Sequence, residues 1–145
     1  MAKRPTDTKI KAWTRLVRAS QSVLSAVEAD LKTAGFPPLS WYDALLELDR
    51  ATDRSLRPFE LQERMLLAQY NLSRLVDRLE KSGYVERRPY RKDGRGHIVK
   101  ITRQGRALLR RMWPAYAKAI EANLGQKLSE REAAALAQAL AKLVE

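Results

Sequence analysis

Between residues 69 and 95 the chain gathers side chains that can read or neutralise a polyanion. Gln69, Tyr70, Asn71, Ser73 and Arg74 come first, then Arg78, then Arg87, Arg88, Arg91, Lys92 and Arg95. Asn and Gln can pair bidentately with adenine and Arg with guanine, each good pair worth ~1–3 kcal/mol of discrimination. Ser73 and Tyr70 suit phosphate oxygens equally well. The spacing of the basic residues after position 86 places them on a short hairpin. Their mutual repulsion there is unfavourable unless something neutralises it. Arginines at its tip, from Arg91 to Arg95, could enter a narrow A·T-rich minor groove, whose negative potential attracts them.

The charge distribution agrees. The 145 residues carry a formal net charge of +11. Thirteen basic and four acidic residues lie between Arg74 and Arg111, whereas positions 1–73 hold 11 and 9 and the last 34 hold four of each. A basic block within a balanced chain points to a polyanionic partner. Cysteine is absent, which excludes disulfides, thiolate metal sites, a cysteine nucleophile and a thiol redox switch. A single histidine, His97, excludes a multi-histidine metal cage, and it reads as packing beside the hairpin. No nucleophile elbow, phosphate-binding glycine loop or metal constellation suggests an enzyme, and no cofactor is expected. No apolar run approaches the ~18 residues of a membrane span, and the basic start lacks the apolar stretch of a signal peptide. A cytoplasmic location with no membrane partner is the expectation.

Elements must hold these side chains in place. Apolar residues at Ile10, Trp13, Val17, Leu24, Val27 and Leu31 predict a first helix of about six turns, stopped at Gly35 to Pro38. Ser40 and Asp43 read as a capping box for a second helix, Trp41 to Arg50. A polar break at Thr52 to Ser55 follows, and Pro58 suits the first turn of a third helix through Met65. Leu72, Leu75, Val76 and Leu79 form one apolar face of a fourth helix, Gln69 to Ser82, closed by Gly83. Tyr84 to Tyr90 and His97 to Thr102 predict two strands joined through the Asp93-Gly94 turn. Thr102 caps a fifth helix to about Leu124, and Ser129 with Glu132 caps an Ala-rich sixth. Two short helices followed by a basic hairpin form a winged helix-turn-helix, whose second helix lies in the major groove. Taken alone, the fourth helix could equally present only a solvated polar face.

The run Leu72-Ser-Arg-Leu-Val-Asp-Arg-Leu-Glu-Lys-Ser-Gly83-Tyr-Val-Glu-Arg87, with Glu60-Leu61 before it and Asp93-Gly-Arg95 and Val99-Lys-Ile-Thr102 after it, strongly resembles the MarR family. The likeness extends from about Trp13 to the C-terminus. It implies a mainly α fold with a small β-hairpin wing, a winged helix-turn-helix flanked by N- and C-terminal dimerisation helices. Residues 1–145 would form one domain, with 39–102 as the DNA-binding lobe and 8–34 and 103–145 as dimerisation helices. The resemblance places base reading on Gln69 to Arg74 and minor-groove insertion on Arg95. Ala68 stands where the family often has a capping Ser or Thr.

Helices one, five and six carry more apolar surface than a winged helix needs for its own core, so a homodimer is expected. Two-fold symmetry would set two recognition helices on an inverted repeat of double-stranded DNA, with half-sites ~10–10.5 bp apart. Trp13, Trp41, Tyr42, Trp113 and Tyr116, with Arg15 for an anion, could line a ligand cleft between dimerisation helices and lobe. Packing of these aromatics in core or interface is the competing reading. The family resemblance implies small effectors, often aromatic, in such a cleft. The expected function is a dimeric, sequence-specific transcriptional regulator, a repressor released by a small ligand. The alternative is an architectural protein that coats DNA with little sequence preference and no effector.

Overall fold

A computed structural model describes residues 2–90 and 96–145. The order is α1 (Asp7–Thr33), α2 (Leu39–Arg50), a 3-10 turn (Thr52–Arg54), β1 (Ser55–Leu56), α3 (Pro58–Arg64), α4 (Leu72–Lys81), β2 (Val85–Pro89), β3 (His97–Ile101), α5 (Arg103–Asn123), a second 3-10 turn (Gly125–Lys127) and α6 (Glu130–Val144). Among the described residues no helix is long and apolar enough to cross a membrane.

Several starts follow the expected side-chain chemistry. Glu60 accepts the Arg57 amide at 2.9 Å to open α3. Thr102 Oγ1 accepts the Gly105 amide at 3.0 Å to open α5. Ser129 and Glu132 exchange side-chain and backbone bonds at 3.1 and 3.0 Å to open α6. The Ser40–Asp43 box predicted for α2 does not form. That helix starts at Leu39, and its first amide donates to Glu28 of α1 at 3.0 Å, so the cap is tertiary rather than local. Asp43 is thereby released for a different task.

The hairpin gains a third strand within what the sequence pattern presents as a polar break. β1 pairs antiparallel with β3, Leu56 opposite Val99, and β2 pairs on the other side with Arg87 opposite Val99. The sheet order is β1-β3-β2. A two-residue strand has no alternation to read, and only its pairing defines it.

The core joins α2, the apolar side of α4, the sheet and the first half of α5. Leu45, Leu48, Leu61, Leu79, Val99, Leu108 and Met112 are among its fully buried members. The start of α5 thus belongs to this core. Only the C-terminal half of α1 is buried in the chain, through Val27 and Leu31. Its other half leaves Trp13 67% exposed, and α6 buries no residue.

The junction between β3 and α5 allows only glycine at position 105. A Cβ there would collide with the Tyr84 carbonyl oxygen and lie 2.7 Å from Ile101 Cγ1. Gly105→Ala is expected to destabilise by about 1–3 kcal/mol through overpacking. Urea unfolding checks this as a lower midpoint at unchanged slope.

Candidate nucleic-acid interface

α4 turns Leu72, Leu75, Val76 and Leu79 into the core, which leaves Ser73, Arg74, Asp77, Arg78 and Lys81 exposed on the other side. The helix begins at Leu72, three residues later than the expected Gln69. Gln69 and Tyr70 therefore lie in the loop ahead of it. Gln69 is half-buried, and Tyr70 is fully exposed.

Asn71 also changes role. It is the N-cap, and its side-chain oxygen accepts the Arg74 amide at 3.0 Å. While it caps, one lone pair of that oxygen is occupied and the side chain is turned toward its own helix, so bidentate pairing with adenine would compete with the cap. This also answers how the helix is capped with Ala68 at the earlier position. The base-facing candidates that remain uncommitted on α4 are Ser73, Arg74 and Arg78.

The wing is tied to α4 by Arg87. Its Nη2 donates to Asp77 Oδ1 at 2.6 Å and its Nη1 to Glu80 Oε1 at 2.7 Å, while its amide donates to Glu80 Oε2 at 3.1 Å. Burial pulls the Arg87 guanidinium pKa down, and the hydrogen bonds and charges of Asp77 and Glu80 reverse this and leave it raised. Arg88 pairs with Glu86 at 2.5 Å. The repulsion expected among the hairpin arginines is thus partly relieved at these two positions by intramolecular carboxylates, with the Arg88 side chain still 55% exposed. Such partly exposed pairs contribute little net stability, and their effect is to fix geometry. At the wing base the Arg57 guanidinium lies over the Tyr90 ring, 4.4 Å from its centroid, and the Tyr90 amide donates to the Gly96 carbonyl at 3.3 Å. His97 is half-buried opposite Pro89, in keeping with a packing role. Arg91, Lys92 and Arg95, with the Asp93-Gly94 turn, lie outside the described residues.

The loop between α3 and α4 is held by a residue whose local sequence context suggests only a helix cap. Asp43 of α2 is buried, and its two carboxylate oxygens accept the amides of Leu66 at 2.9 Å and Leu67 at 2.7 Å. A bond spanning more than twenty residues leaves no local signature in the chain.

The six candidate cleft residues separate into three groups. Trp13, Arg15 and Tyr116 line a cavity of about 960 Å³ bounded by α1, α5, α6 and the side chains of Leu66 and Leu67. Tyr42 stacks with Trp113 at 6.4 Å and meets Tyr116 edge-on at 5.0 Å. Trp41 is directed away from that cavity, against Tyr84 at 6.0 Å. Trp41, Tyr42 and Trp113 do not line this cavity, and Tyr42 borders a smaller one of about 240 Å³ with Asp43, Arg50 and Tyr116. Burial pushes the Tyr42 phenol above its usual range, with Arg50 partly opposing. Tyr116 is pushed up by burial first, then by the charges of Asp43, Tyr42 and Glu28.

If Asn71 acts as a cap, Asn71→Ala should cost about 1 kcal/mol of stability and Asn71→Ser should restore most of it. Thermal or urea unfolding of both variants checks this. Equal stability of all three proteins would remove the capping role.

Comparison with known proteins gives a consistent placement. Residues 34–96 match the family model for the MarR family. An uncharacterized HTH-type transcriptional regulator of Bacillus cereus is 36% identical over 107 residues, 70% of this chain and 65% of that protein. The chain thus spans a little under two thirds of that relative's length. The HTH-type transcriptional regulator PrsX of Escherichia coli is 33% identical over 73 residues, 50% of this chain and 44% of PrsX. A MarR family transcriptional regulator from Streptomyces coelicolor, solved in complex with DNA, superposes with a TM-score of 0.87 at 25% identity, covering 100% of this chain and 91% of that one. Wild-type MarR of Escherichia coli in its apo form has the same fold, with a TM-score of 0.74 at 22% identity, covering 99% of this chain and 100% of that one. From the α4 and wing motifs to the whole-chain fold, these likenesses converge: residues 34–96 carry the MarR family match, and the whole chain has the fold of MarR family regulators.

Proposed function

We propose that the chain is a dimeric, sequence-specific DNA-binding transcriptional regulator, a repressor released by a small ligand. The observation that carries the reading is the unit formed by α4 and β2. Four buried apolar residues turn Ser73, Arg74 and Arg78 outward, and Arg87 fixes β2 to the same helix. Arg74, in the first turn of α4, is placed for a guanine edge in the major groove. Arg88 and the wing residues Arg91, Lys92 and Arg95 would serve phosphates and the minor groove, as the sequence expectation has it. The relative from Streptomyces coelicolor, a DNA complex, supports this use of the fold.

The apolar surface outside the lobe supports pairing. Trp13, Leu24, Leu136 and Leu143 are all more than a third exposed, and α6 contributes nothing to the chain's own core. A second copy would cover part of this surface through a two-fold interface and set two α4 helices on an inverted repeat. The cavity beside it would take the ligand, with Arg15 available for an anionic group. Leu66 and Leu67 form part of its wall, so a ligand seated there would bear on the loop that leads into α4. Release requires that the ligand bind the state unfit for DNA more tightly than the state that fits it.

The test is selection of genomic fragments on the purified protein at near-physiological salt, followed by sequencing. An enriched inverted repeat with half-sites ~10–10.5 bp apart is expected. Arg74→Ala should relax the preference at one position per half-site, and Arg95→Ala should weaken binding most where the flanks are A·T-rich. Aromatic acids are the first class to screen for release from the selected site. Retention without a shared motif would favour the architectural reading and overturn the proposal.

A further inference from the structure

The apolar face of α4 and the Arg87 pairs hold the helix against the core and the wing, and its start is set as well by how the preceding loop delivers it. Met65 ends α3, its amide donating to the Leu61 carbonyl at 3.1 Å, and the chain runs from there to the Asn71 cap before α4 begins. Tyr70, fully exposed, and the Asn71 cap sit at the far end of this segment. Met65 and Leu67 pack against the core, and the polar restraint is Asp43, which is 6% exposed and places one oxygen on each of the Leu66 and Leu67 amides. A buried carboxylate of this kind is stable only while both oxygens are satisfied, so it enforces the loop position as well as recording it. From Leu67 the segment has four residues to reach Asn71, and each unrestrained residue adds up to ~3.5 Å of reach. A misplacement of about one ångström is enough to break a bidentate base contact, whereas phosphate contacts from flexible side chains tolerate it.

We propose that Asp43 is a positioning residue for sequence reading: by gripping the Leu66 and Leu67 amides it sets where the loop presents Tyr70 and starts α4, and so aligns Arg74 with its base. The inference rests on the DNA-reading function proposed above. Asp43 touches no DNA in this account, and its influence is exerted wholly through the loop.

Asp43→Asn keeps the volume but turns an NH2 donor toward one of the two amides. Affinity for the selected operator should fall about tenfold, the loss expected from one charged hydrogen bond. Affinity for mixed-sequence DNA, held by phosphates, should change less than about twofold, so the ratio of specific to non-specific binding falls. A merely structural role would reduce the folded fraction and lower both affinities together, leaving the ratio unchanged, and that result overturns the proposal. Hydrogen exchange of the wild-type protein without DNA gives a second test that needs no variant. The Leu66 and Leu67 amides should exchange at least about tenfold more slowly than that of Tyr70 once intrinsic rates are removed. Equal rates would show that the grip is absent and would overturn the proposal on their own. If the wild-type protein selects no operator, the proposed function fails first, and the exchange result still decides the grip.

Discussion

Burial of Leu72, Leu75, Val76 and Leu79 is the interaction on which the interface depends, because α4 could not hold its conformation or its orientation without it. A helix of 10 residues is shorter than the ~12–15 at which isolated helices become even marginally stable in water. Each apolar side chain taken out of water contributes about 1.5–3 kcal/mol as an upper figure. The burial also fixes rotation about the axis. With four residues turned inward, Ser73, Arg74, Asp77 and Arg78 have no direction left but outward. The acidic member of that face, Asp77, joins Glu80 in binding Arg87, so part of the negative charge on α4 is offset by a cation of the wing.

The same pattern runs through the rest of the lobe. Acidic side chains act as clamps rather than as surface charge: Glu28 caps α2, Asp43 holds the loop before α4, Glu60 caps α3, and Asp77 and Glu80 dock the wing. Each accepts hydrogen bonds from backbone amides or from one partly buried arginine. α6 and the first half of α1 form apolar walls around a large cavity whose remaining side is open.

Features that depend on period and on local chemistry are legible in the sequence. The apolar face of α4, the Gly83 stop, the Thr102 and Ser129 caps and the basic wing all follow from residues within one or two turns of each other. The start of α4 is not legible, because Gln69 and Tyr70 are compatible with a helix. Only the Asn71 conformation, with φ at −140°, shows that the helix has not begun. β1 is invisible because two residues have no pattern apart from their partner. The Ser40–Asp43 box is a sound local reading that tertiary bonding overrides, since Glu28 and the Leu66 and Leu67 amides lie far along the chain. Aromatic residues can be read by type, and type alone does not say that Trp41 packs on Tyr84 whereas Trp13 borders the cavity.

The central claim is that the outward face of α4 reads bases in the major groove at two symmetric places. Dimethyl sulfate interference on a selected operator tests it most directly, because guanine N7 is exposed in the major groove. The account predicts interference at two symmetric guanine clusters ~10–10.5 bp apart, one of them per α4. Binding that is blocked by phosphate ethylation but is indifferent to N7 methylation at every guanine would contradict it.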